Sequence, residues 1–301
     1  MNDTVNIISQ TTDILSQSIE EENSLFLPQN ELNLPDINQL KEIVELAKSV
    51  FFPGFFSKSS MHRSLQKNYI GTSLEQIYSK LCKEIHLGMA FFNAHLNDDI
   101  HKTANELALA FVRQMPEIRR LLYTDVKAVF DGDPAAKSYS EVIFSYPGIQ
   151  AMINYRIAHE LMHLGIPVIP RIITEMAHSV TGIDIHPGAQ IGEYFSMDHG
   201  TGIVIGETCI IGSHVRLYQG VTLGAKSFTL DEKGLPMNVP RHPILEDHVI
   251  VYSNSTILGR VTIGHDSIIG GNVWQTNSVP PFSRILQHKT VAANYIDGLG
   301  I

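Results

Sequence analysis

The chain has 301 residues, of which 44% are hydrophobic and 18% are charged. This composition supplies enough apolar residues for one large or two modest domains, and it is too apolar for an intrinsically disordered chain. The formal net charge of −9 argues against nonspecific nucleic-acid binding, which needs a basic surface.

Cysteine usage and the N-terminus predict a cytoplasmic protein. Two cysteines, Cys82 and Cys209, exclude a disulfide framework and fit a reducing compartment. The N-terminal residues Met1-Asn2-Asp3-Thr4 lack the basic and apolar regions of a signal peptide. No uninterrupted apolar run is long enough to span a membrane, so no membrane partner is expected.

The first part of the chain predicts helices. Residues 1–35 are polar with scattered hydrophobic positions and are interpreted as an irregular or partly helical arm. Asp36 is a predicted N-cap, because helically spaced apolar residues follow it. From there to residue 180 the pattern predicts a helical domain.

Later helix boundaries rest on local signals. Ser73 with Gln76 resembles a capping box and predicts the beginning of a helix at that point. Residues 125–130 predict a short helix. Apolar spacing predicts two further helices, at about 149–164 and 168–180.

One of these helices carries His159-Glu160-Leu161-Met162-His163, which matches the zinc-peptidase pattern H-E-x-x-H. Two His four residues apart on a helix can bind zinc, with the Glu as base. A catalytic site needs a third ligand. Ile169 stands where the extended pattern has His, and Glu175 lies at a spacing that does not fit. The sequence therefore favours a structural helix face and predicts no metal site.

From residue 185 onward a bulky aliphatic residue recurs every six residues. This period is typical of a parallel β-helix, in which each hexapeptide forms one face and three form a coil. The recurring side chains point inward and stack from coil to coil, because no single rung can bury them alone. These marker residues are Ile185, Ile191, Met197, Ile205, Ile211, Leu217, Leu223, Leu245, Val251, Ile257, Ile263 and Ile269.

Two loops leave the repeat, at residues 198–204 and at about 225–243, and such loops usually carry function. The first follows from a step of eight residues between Met197 and Ile205 and contains His199. Asp184 precedes a marker residue, and we expect it at the same corner as His199.

These polar residues predict acid–base chemistry on a charged substrate. An Asp that fixes one imidazole nitrogen leaves the other as a general base. Arg241-His242 returns from the second loop, and an arginine is a ready clamp for a carboxylate. A substrate with a hydroxyl and a carboxylate would use both features. The alternative is that each polar residue only caps a β-helix corner.

Six local motifs follow one another between about residues 130 and 285. They are Asp133-Pro134-Ala135-Ala136-Lys137-Ser138-Tyr139-Ser140, Tyr155-Arg156-Ile157-Ala158-His159, Asp184-Ile185-His186-Pro187, Asp198-His199-Gly200-Thr201-Gly202-Ile203-Val204-Ile205-Gly206-Glu207, Gln219-Gly220-Val221-Thr222-Leu223-Gly224 and Arg241-His242-Pro243. In these motifs and their order the sequence resembles the bacterial and plant serine O-acetyltransferases. The resemblance implies an α+β protein, with an N-terminal all-helical domain (36–180), a C-terminal left-handed parallel β-helix with protruding loops (181–285) and a tail (286–301).

The resemblance implies acetyl transfer from acetyl-CoA to the hydroxyl of L-serine, the first step of cysteine biosynthesis. His199 is then the general base, and Asp184 is its orienting partner. Asp133 and Asp198 are expected at the serine amine. No covalent acyl-enzyme and no metal are expected.

The same resemblance implies the rest of the site. Arg241 and His242 are expected at the serine carboxylate, and a backbone N–H near Gly224-Ala225 is the expected oxyanion donor. The residues implied for acetyl-CoA are Gly224, Ala225, Ser253 and Gly271. Three departures bear on this cofactor groove: Ala225 replaces a glycine, residues 228–239 are inserted, and Tyr252-Ser253-Asn254-Ser255 replaces a Gly/Ala-rich stretch.

The family also implies partners. Its β-helices assemble as homotrimers, or as dimers of trimers, with active sites between neighbouring prisms. Cysteine is the expected feedback inhibitor, because it differs from serine only in the side-chain heteroatom. A C-terminal isoleucine such as Ile301 docks into O-acetylserine sulfhydrylase in many members, so that enzyme is a candidate partner.

Other functions stay open. One is a hexapeptide acyltransferase acting on another acceptor such as a sugar, which would offer no carboxylate to Arg241. Another is a zinc-dependent enzyme. A third is a non-catalytic scaffold that acts through its tail, for which His199 would be dispensable.

Overall fold

The computed structural model of the chain describes residues 2–26, 34–56, 63–92 and 100–287. Helices come first and short strands follow, so the predicted α+β class is confirmed. Residues 288–301 of the predicted tail, including Ile301, lie outside the described residues. Apart from a short 3₁₀ helix (Arg63–Leu65), the helices are α1 (Asn2–Phe26), α2 (Ile37–Phe51), α3 (Gln66–Phe92), α4 (Ile100–Gly132), α5 (Tyr139–Ser145), α6 (Pro147–His163) and α7 (Ile169–Thr181).

The beginnings of α2 and α3 test the two capping predictions. Asp36 caps α2 as predicted, since its carboxylate accepts from the N–H of Asn38 at 2.8 Å. The prediction that a helix begins at Ser73 is wrong, because α3 already begins at Gln66. Ser73 is buried inside the helical domain. A pattern that suits an N-cap therefore occurs there in the middle of a helix.

Helix α4 is much longer than the short helix predicted over residues 125–130, and Pro116 lies inside it. An interior proline costs about 3 kcal/mol, because it removes a hydrogen bond and crowds the preceding turn. The packed face of the helix outweighs that cost. Its buried positions recur on both sides of the proline at Ala104, Ala108, Phe111, Met115, Ile118, Leu122, Asp125, Val126 and Val129. No helix in the described ranges is long and apolar enough to cross a membrane.

In the described part of the chain, fourteen short strands form a left-handed parallel β-helix of about five coils. The first sheet has the order β1-β4-β7-β10-β13, the second β11-β8-β5-β2 and the third β14-β12-β9-β6-β3, so each sheet is one face of a triangular prism. The strands are β1 (Asp184–Ile185), β2 (Gln190–Ile191), β3 (Ser196–Asp198), β4 (Val204–Ile205), β5 (Ile210–Ile211), β6 (Arg216–Tyr218), β7 (Thr222–Gly224), β8 (Ile244–Leu245), β9 (Ile250–Val251), β10 (Thr256–Leu258), β11 (Thr262–Ile263), β12 (Ile268–Ile269), β13 (Trp274–Gln275) and β14 (Arg284–Ile285).

The marker residues form the core of the prism, as predicted. In the first sheet Ile185 pairs with Ile205, and Ile205 pairs with Leu223. Every marker residue is at most 8% exposed. The stacking of identical positions therefore supplies the burial that a two-residue strand cannot provide alone.

A buried ion pair joins the helices to the β-helix. Arg156 of α6 contacts Asp125 of α4 through two N–H groups, each at 2.9 Å. The same guanidinium donates to the carbonyls of Ile191 and Gly192, and Asp125 accepts from the N–H of Phe195. These hydrogen bonds fix the first coil of the β-helix against the helices. They also give the buried charged groups of Arg156 and Asp125 hydrogen-bond partners.

Candidate active site

The two extra residues of the repeat form a loop at one corner of the prism, between β3 and β4. His199 and Gly200 have φ values of 58° and 84°, in the left-handed region that favours glycine. A Cβ on Gly200 would lie 2.6 Å from the Cδ1 atom of Ile183. The N–H of Gly202 donates to the carbonyl of Gly182 at 2.8 Å. The loop is thereby held against the first coil and presents the His199 side chain 75% exposed.

Two carboxylates lie beside this loop. Asp133, which follows α4, accepts from the hydroxyl of Tyr146 at 2.6 Å and from the N–H of Ala135 at 2.8 Å. These bonds, that of Tyr146 above all, lower the pKa of Asp133, so its carboxylate is ionised at neutral pH. Oδ1 of Asp198 lies 3.8 Å from Nε2 of His199. Asp133, Tyr146, Asp198 and His199 are together called the base cluster.

Asp184 reaches the same corner through its backbone but not through its side chain. Its N–H donates to the carbonyl of Ile203 at 2.9 Å, next to the His199 loop. Its carboxylate faces α7, where it lies within 4.8 Å of ligand atoms of Glu175 and His178. Among the described residues, no hydrogen bond joins Asp184 to His199.

Glu175, His178 and Asp184 have the residue types of a metal site. Glu175, however, already pairs with Arg171 at 2.5 Å and contacts His178 at 3.3 Å. The guanidinium therefore supplies a positive charge beside the cluster, and this disfavours binding of a second cation.

The H-E-x-x-H segment has a structural contact. Nδ1 of His159 lies 2.8 Å from the carbonyl oxygen of Pro187, so this nitrogen carries the proton and donates. Burial lowers the pKa of His159. The segment thus joins α6 to the turn after β1.

Arg241 and His242 lie at a different corner, where the chain returns from the second loop. Thr208 fixes that return, because its hydroxyl oxygen accepts from the N–H groups of Arg241 and His242 at 2.9 and 3.1 Å. The Arg241 guanidinium pairs with Glu207 at 2.6 Å. Burial favours the protonated form of Glu207, but the ion pair outweighs it and its pKa is lowered. Glu207, Thr208, Arg241 and His242 are called the arginine cluster.

His242 is buried and in a defined tautomer. The N–H of Thr208 donates to its Nδ1 at 3.1 Å, so the neutral ring carries its proton on Nε2. Burial, assisted by the charge of Arg241, lowers the pKa of His242 to about 4. A Cβ on Gly206 would lie 2.2 Å from this Nε2, so the ring needs a glycine there. At neutral pH His242 is therefore an uncharged hydrogen-bond donor beside a fixed cation.

Within one protomer the two clusters stand apart. The base cluster lies where the third sheet turns into the first, and the arginine cluster lies where the first sheet turns into the second. One face of the prism separates them. The predicted base and the predicted carboxylate clamp are not brought together by a single chain.

The residues predicted to bind acetyl-CoA divide in the same way. Gly224 ends β7, so Gly224 and Ala225 lie at the corner of the second loop. Ser253 and Gly271 lie one above the other at the corner of His199, since a Cβ on Gly271 would be 3.3 Å from the carbonyl oxygen of Ser253. The two pairs therefore lie on different corners of the prism.

The inserted segment near residues 228–239 forms a local turn. Leu230 and Pro236 make an antiparallel bridge, and the Asp231 carboxylate accepts from the N–H groups of Lys233 and Leu235. Its apolar side chains, among them that of Leu230, are exposed. The insertion thus has its own hydrogen bonds and adds apolar surface beside the arginine cluster.

Sequence reasoning gave no role to Tyr146, Glu207 or Thr208. Tyr146 bonds a carboxylate 13 residues away, and Glu207 bonds a guanidinium 34 residues away across the second loop. Sequence spacing rules apply to residues a few positions apart, so they do not identify pairs that are 13 or 34 residues apart. The one available signal was that Glu207 ends a motif in which Asp198 and His199 had been given roles.

Known proteins match both parts of the chain. The family described as "Serine acetyltransferase, N-terminal" matches residues 74–153. A relative from Synechococcus elongatus named "Serine acetyltransferase, plasmid" is 46% identical over 277 residues, which is 89% of this chain and 86% of that relative.

Solved structures match the fold. Serine acetyltransferase isoform 3 from Entamoeba histolytica, in complex with cysteine, has a TM-score of 0.71 and 33% identity, covering 97% of this chain and 96% of that one. A serine acetyltransferase in complex with CoA has a TM-score of 0.53 and 25% identity, covering 83% and 96% of the two chains. Given the identity and coverage of the Synechococcus relative, the chain belongs to the serine acetyltransferase family.

Proposed function

We propose that the chain transfers the acetyl group of acetyl-CoA to the hydroxyl of L-serine in a site that two subunits build together. The main support for this proposal is that the charged side chains are divided between two corners of the prism. One corner carries the carboxylates of Asp133 and Asp198, which suit an ammonium group, and the other carries Arg241, which suits a carboxylate. L-serine offers both ends on one small molecule.

The base cluster performs the proton transfer. Nε2 of His199 removes the hydroxyl proton as the serine oxygen attacks the thioester carbonyl. The tetrahedral intermediate collapses with cleavage of the C–S bond, and the imidazolium returns its proton to the CoA thiolate. A positioned base contributes typically about 10²–10⁴-fold. Backbone N–H groups near Gly224 and Ala225 are the proposed donors to the oxyanion.

Asp184 is the proposed orienting partner of His199. The backbones of Asp184 and His199 lie at the same corner of the prism. Rotation of the two side chains would therefore allow the Asp184 carboxylate to contact the His199 imidazole. An aspartate bonded to Nδ1–H fixes the tautomer that leaves Nε2 free, and it stabilises the imidazolium that forms.

The arginine cluster holds the serine carboxylate in this proposal. Arg241 keeps N–H groups beyond the one that meets Glu207, and Nε2–H of His242 adds an uncharged donor. Cysteine would fit the same clamp, which supports the expectation of feedback inhibition. The cysteine complex of the Entamoeba relative also supports it.

Acetyl-CoA is the proposed cosubstrate, supported by the related structure in complex with CoA. Ser253 and Gly271 of one subunit and Gly224 and Ala225 of its neighbour are proposed to line its groove. A homotrimer, or a dimer of trimers, would bring these corners together. Docking of Ile301 to O-acetylserine sulfhydrylase stays a prediction.

In this proposal residues 36–180 are the helical domain, which contributes Asp133, and residues 181–285 are the left-handed β-helix acetyltransferase domain. Residues 1–35 are the arm, and residues 286–301 are the tail.

The first test is CoA release from acetyl-CoA with and without L-serine, followed with a thiol reagent. The wild type should release CoA only with serine. L-threonine, glucosamine and water are the control acceptors. His199→Ala should lower the rate by about 10²–10⁴-fold while the oligomer stays intact. Equal release with glucosamine would contradict the proposed acceptor.

Subunit mixing tests the shared site. His199→Ala and Arg241→Ala should each be nearly inactive. If base and clamp come from different subunits, co-refolding equal amounts should restore about one quarter of the sites, because that fraction of interfaces pairs the two intact residues. No recovery in mixed oligomers, verified by differently tagged subunits, would place both residues in one protomer's site.

A further inference from the structure

A column of side chains rises from the base cluster along the end of the third sheet. Asp198 pairs in register with Tyr218 on the next coil. Leu217 pairs with Val251, so Tyr252 stands above Tyr218. The N–H of Tyr252 donates to the carbonyl of Ile269 at 2.9 Å. Gly270 therefore occupies the position of this column on the coil above Tyr252. Adjacent rungs are about 4.8 Å apart.

The two stacked tyrosines form a wall that presents ring edges outward. Their rings are stacked with centroids 4.8 Å apart and planes 8° from parallel. Neither hydroxyl has a hydrogen-bond partner among the described residues, and Tyr252 is 40% exposed. The core at this level is already filled by Leu217 and Val251, so the rings project from the prism and do not close it.

The wall lies between two parts of the proposed site. Asp198 and His199 stand below it, and Ser253 and Gly271 follow Tyr252 and Gly270 in the chain. Above Tyr252, Gly270 has no side chain, and Cδ2 of Leu286 on the next coil lies 3.0 Å from where a Cβ of Gly270 would be. A ligand that runs from His199 toward Gly271 along this corner therefore passes the outer edges of both rings, whose faces stack on each other.

The wall suits an extended, uncharged and partly apolar chain. The pantetheine arm of acetyl-CoA is such a chain, with methylenes, a geminal dimethyl group and two amides. The ring edges are apolar C–H groups with partial positive charge, so they pack against methylenes and tolerate amide oxygens. Nucleotide phosphates instead need cations or backbone N–H groups.

We propose that Tyr252, supported from below by Tyr218, packs against the pantetheine arm and sets the KM for acetyl-CoA. The proposal rests on the acetyl-CoA-dependent function proposed above. It gives a role to a tyrosine that stands in a stretch where the family has small residues, and it makes the substitution a contact with the cofactor.

The test is the steady-state kinetics of the full-length oligomer. Tyr252→Ala should raise the KM for acetyl-CoA about 3- to 10-fold, the loss expected for one aromatic contact. The kcat value and the KM for L-serine should stay within twofold of the wild type. Tyr252→Phe keeps the ring and should retain the wild-type KM, since the hydroxyl makes no described contact.

His248→Ala is the matched control. His248 lies on the same rung at the opposite end of β9, and it stacks on His214 with centroids 4.8 Å apart and planes 11° from parallel. Removing that stack should leave all kinetic constants unchanged. An equal rise in the KM for acetyl-CoA in His248→Ala would show a general loss of rung order and overturn the proposal.

S-acetylpantetheine, which lacks the nucleotide, identifies the part of the cofactor in contact. The ratio of variant to wild-type KM should be the same for this donor as for acetyl-CoA. A ratio near one with S-acetylpantetheine, or an unchanged KM with acetyl-CoA, would overturn the pantetheine contact.

Absence of serine-dependent release of CoA by the wild type would instead contradict the proposed function. Circular dichroism and size-exclusion chromatography establish that each variant is folded, and Tyr252→Leu replaces the alanine variant if it is not.

Discussion

At the residue scale, a motif identifies which groups belong to the site but not how each is held. Asp133, Arg241 and His242 were expected from the resemblance, and their partners Tyr146, Glu207 and Thr208 were not. These partners fix charge and tautomer through contacts 13 to 34 residues apart. Such contacts depend on how the loops fold back onto the prism, which no local spacing encodes.

Gly206 illustrates this dependence. A Cβ there would lie 2.1 Å from Cδ2 of His242, although the backbone of Gly206 itself does not need glycine. Gly206→Ala should therefore displace the imidazole and raise the KM for L-serine about tenfold or more, since a buried donor would lose its position.

The measurement is serine saturation at fixed acetyl-CoA. Gly71→Ala is the control, because a Cβ at Gly71 meets nothing within 4 Å. An unchanged KM for serine in Gly206→Ala would remove His242 from the proposed clamp.

At the element scale, the six-residue repeat predicted the β-helix well because each strand's inward position is set by its own sequence. Every marker residue is buried where the repeat predicted. The helices were harder. Helices α3 and α4 extend beyond Ser73 and across Pro116 because their faces pack against other helices, and this packing overrides local start and stop signals.

The junction between α4, α6 and the first coil gives a stability prediction. Asp125→Ala should leave the buried guanidinium of Arg156 without a counter-charge, which costs about 3–5 kcal/mol. The free energy of unfolding from urea titrations should fall accordingly, and the thermal midpoint should fall with it.

A second ion pair at the same junction serves as the comparison. Arg120 of α4 contacts Glu193 at 2.6 Å, but these side chains are 51% and 38% exposed. Glu193→Ala should change stability little, because solvent screens exposed pairs. Equal losses of unfolding free energy in Asp125→Ala and Glu193→Ala would mean that burial does not determine how much an ion pair stabilises the protein.

At the scale of the whole molecule, one buried and two half-buried histidines link folding to pH. Burial lowers the pKa values of His159, His186 and His242, the last to about 4. The unfolded chain therefore binds more protons than the folded one below the ordinary histidine pKa of about 6.5. The stability from these neutral rings is present above that pH and is lost as the pH falls toward 4.

Replacing one ring should flatten this dependence. His159→Asn can still donate to the carbonyl of Pro187 but cannot titrate. Between pH 6.5 and 5 the slope of unfolding free energy against pH should decrease by up to about 1.4 kcal/mol per pH unit, the value for one proton. Urea titrations across this range would measure it, and an identical slope in both proteins would exclude His159 as a contributor.

The divided site also belongs to the whole molecule. The sequence placed Asp184 and His199 at one corner and Arg241 at another loop, and the structure has them on two corners of the prism. In the proposed two-subunit site, the distance between these groups depends on assembly and not on any contact within the chain, so the sequence of one chain could not provide it.

The loops at the corners have a consequence for how such a protein can change. The rungs of the β-helix share backbone hydrogen bonds only with their neighbours above and below, so a residue added within a rung would turn every following side chain to the wrong face. Additions are tolerated only where the chain leaves the prism. The two insertions into the six-residue repeat carry the two halves of the proposed site. New acceptor specificities can therefore arise by lengthening or replacing loops at the corners, while the repeating scaffold keeps its pitch and its core.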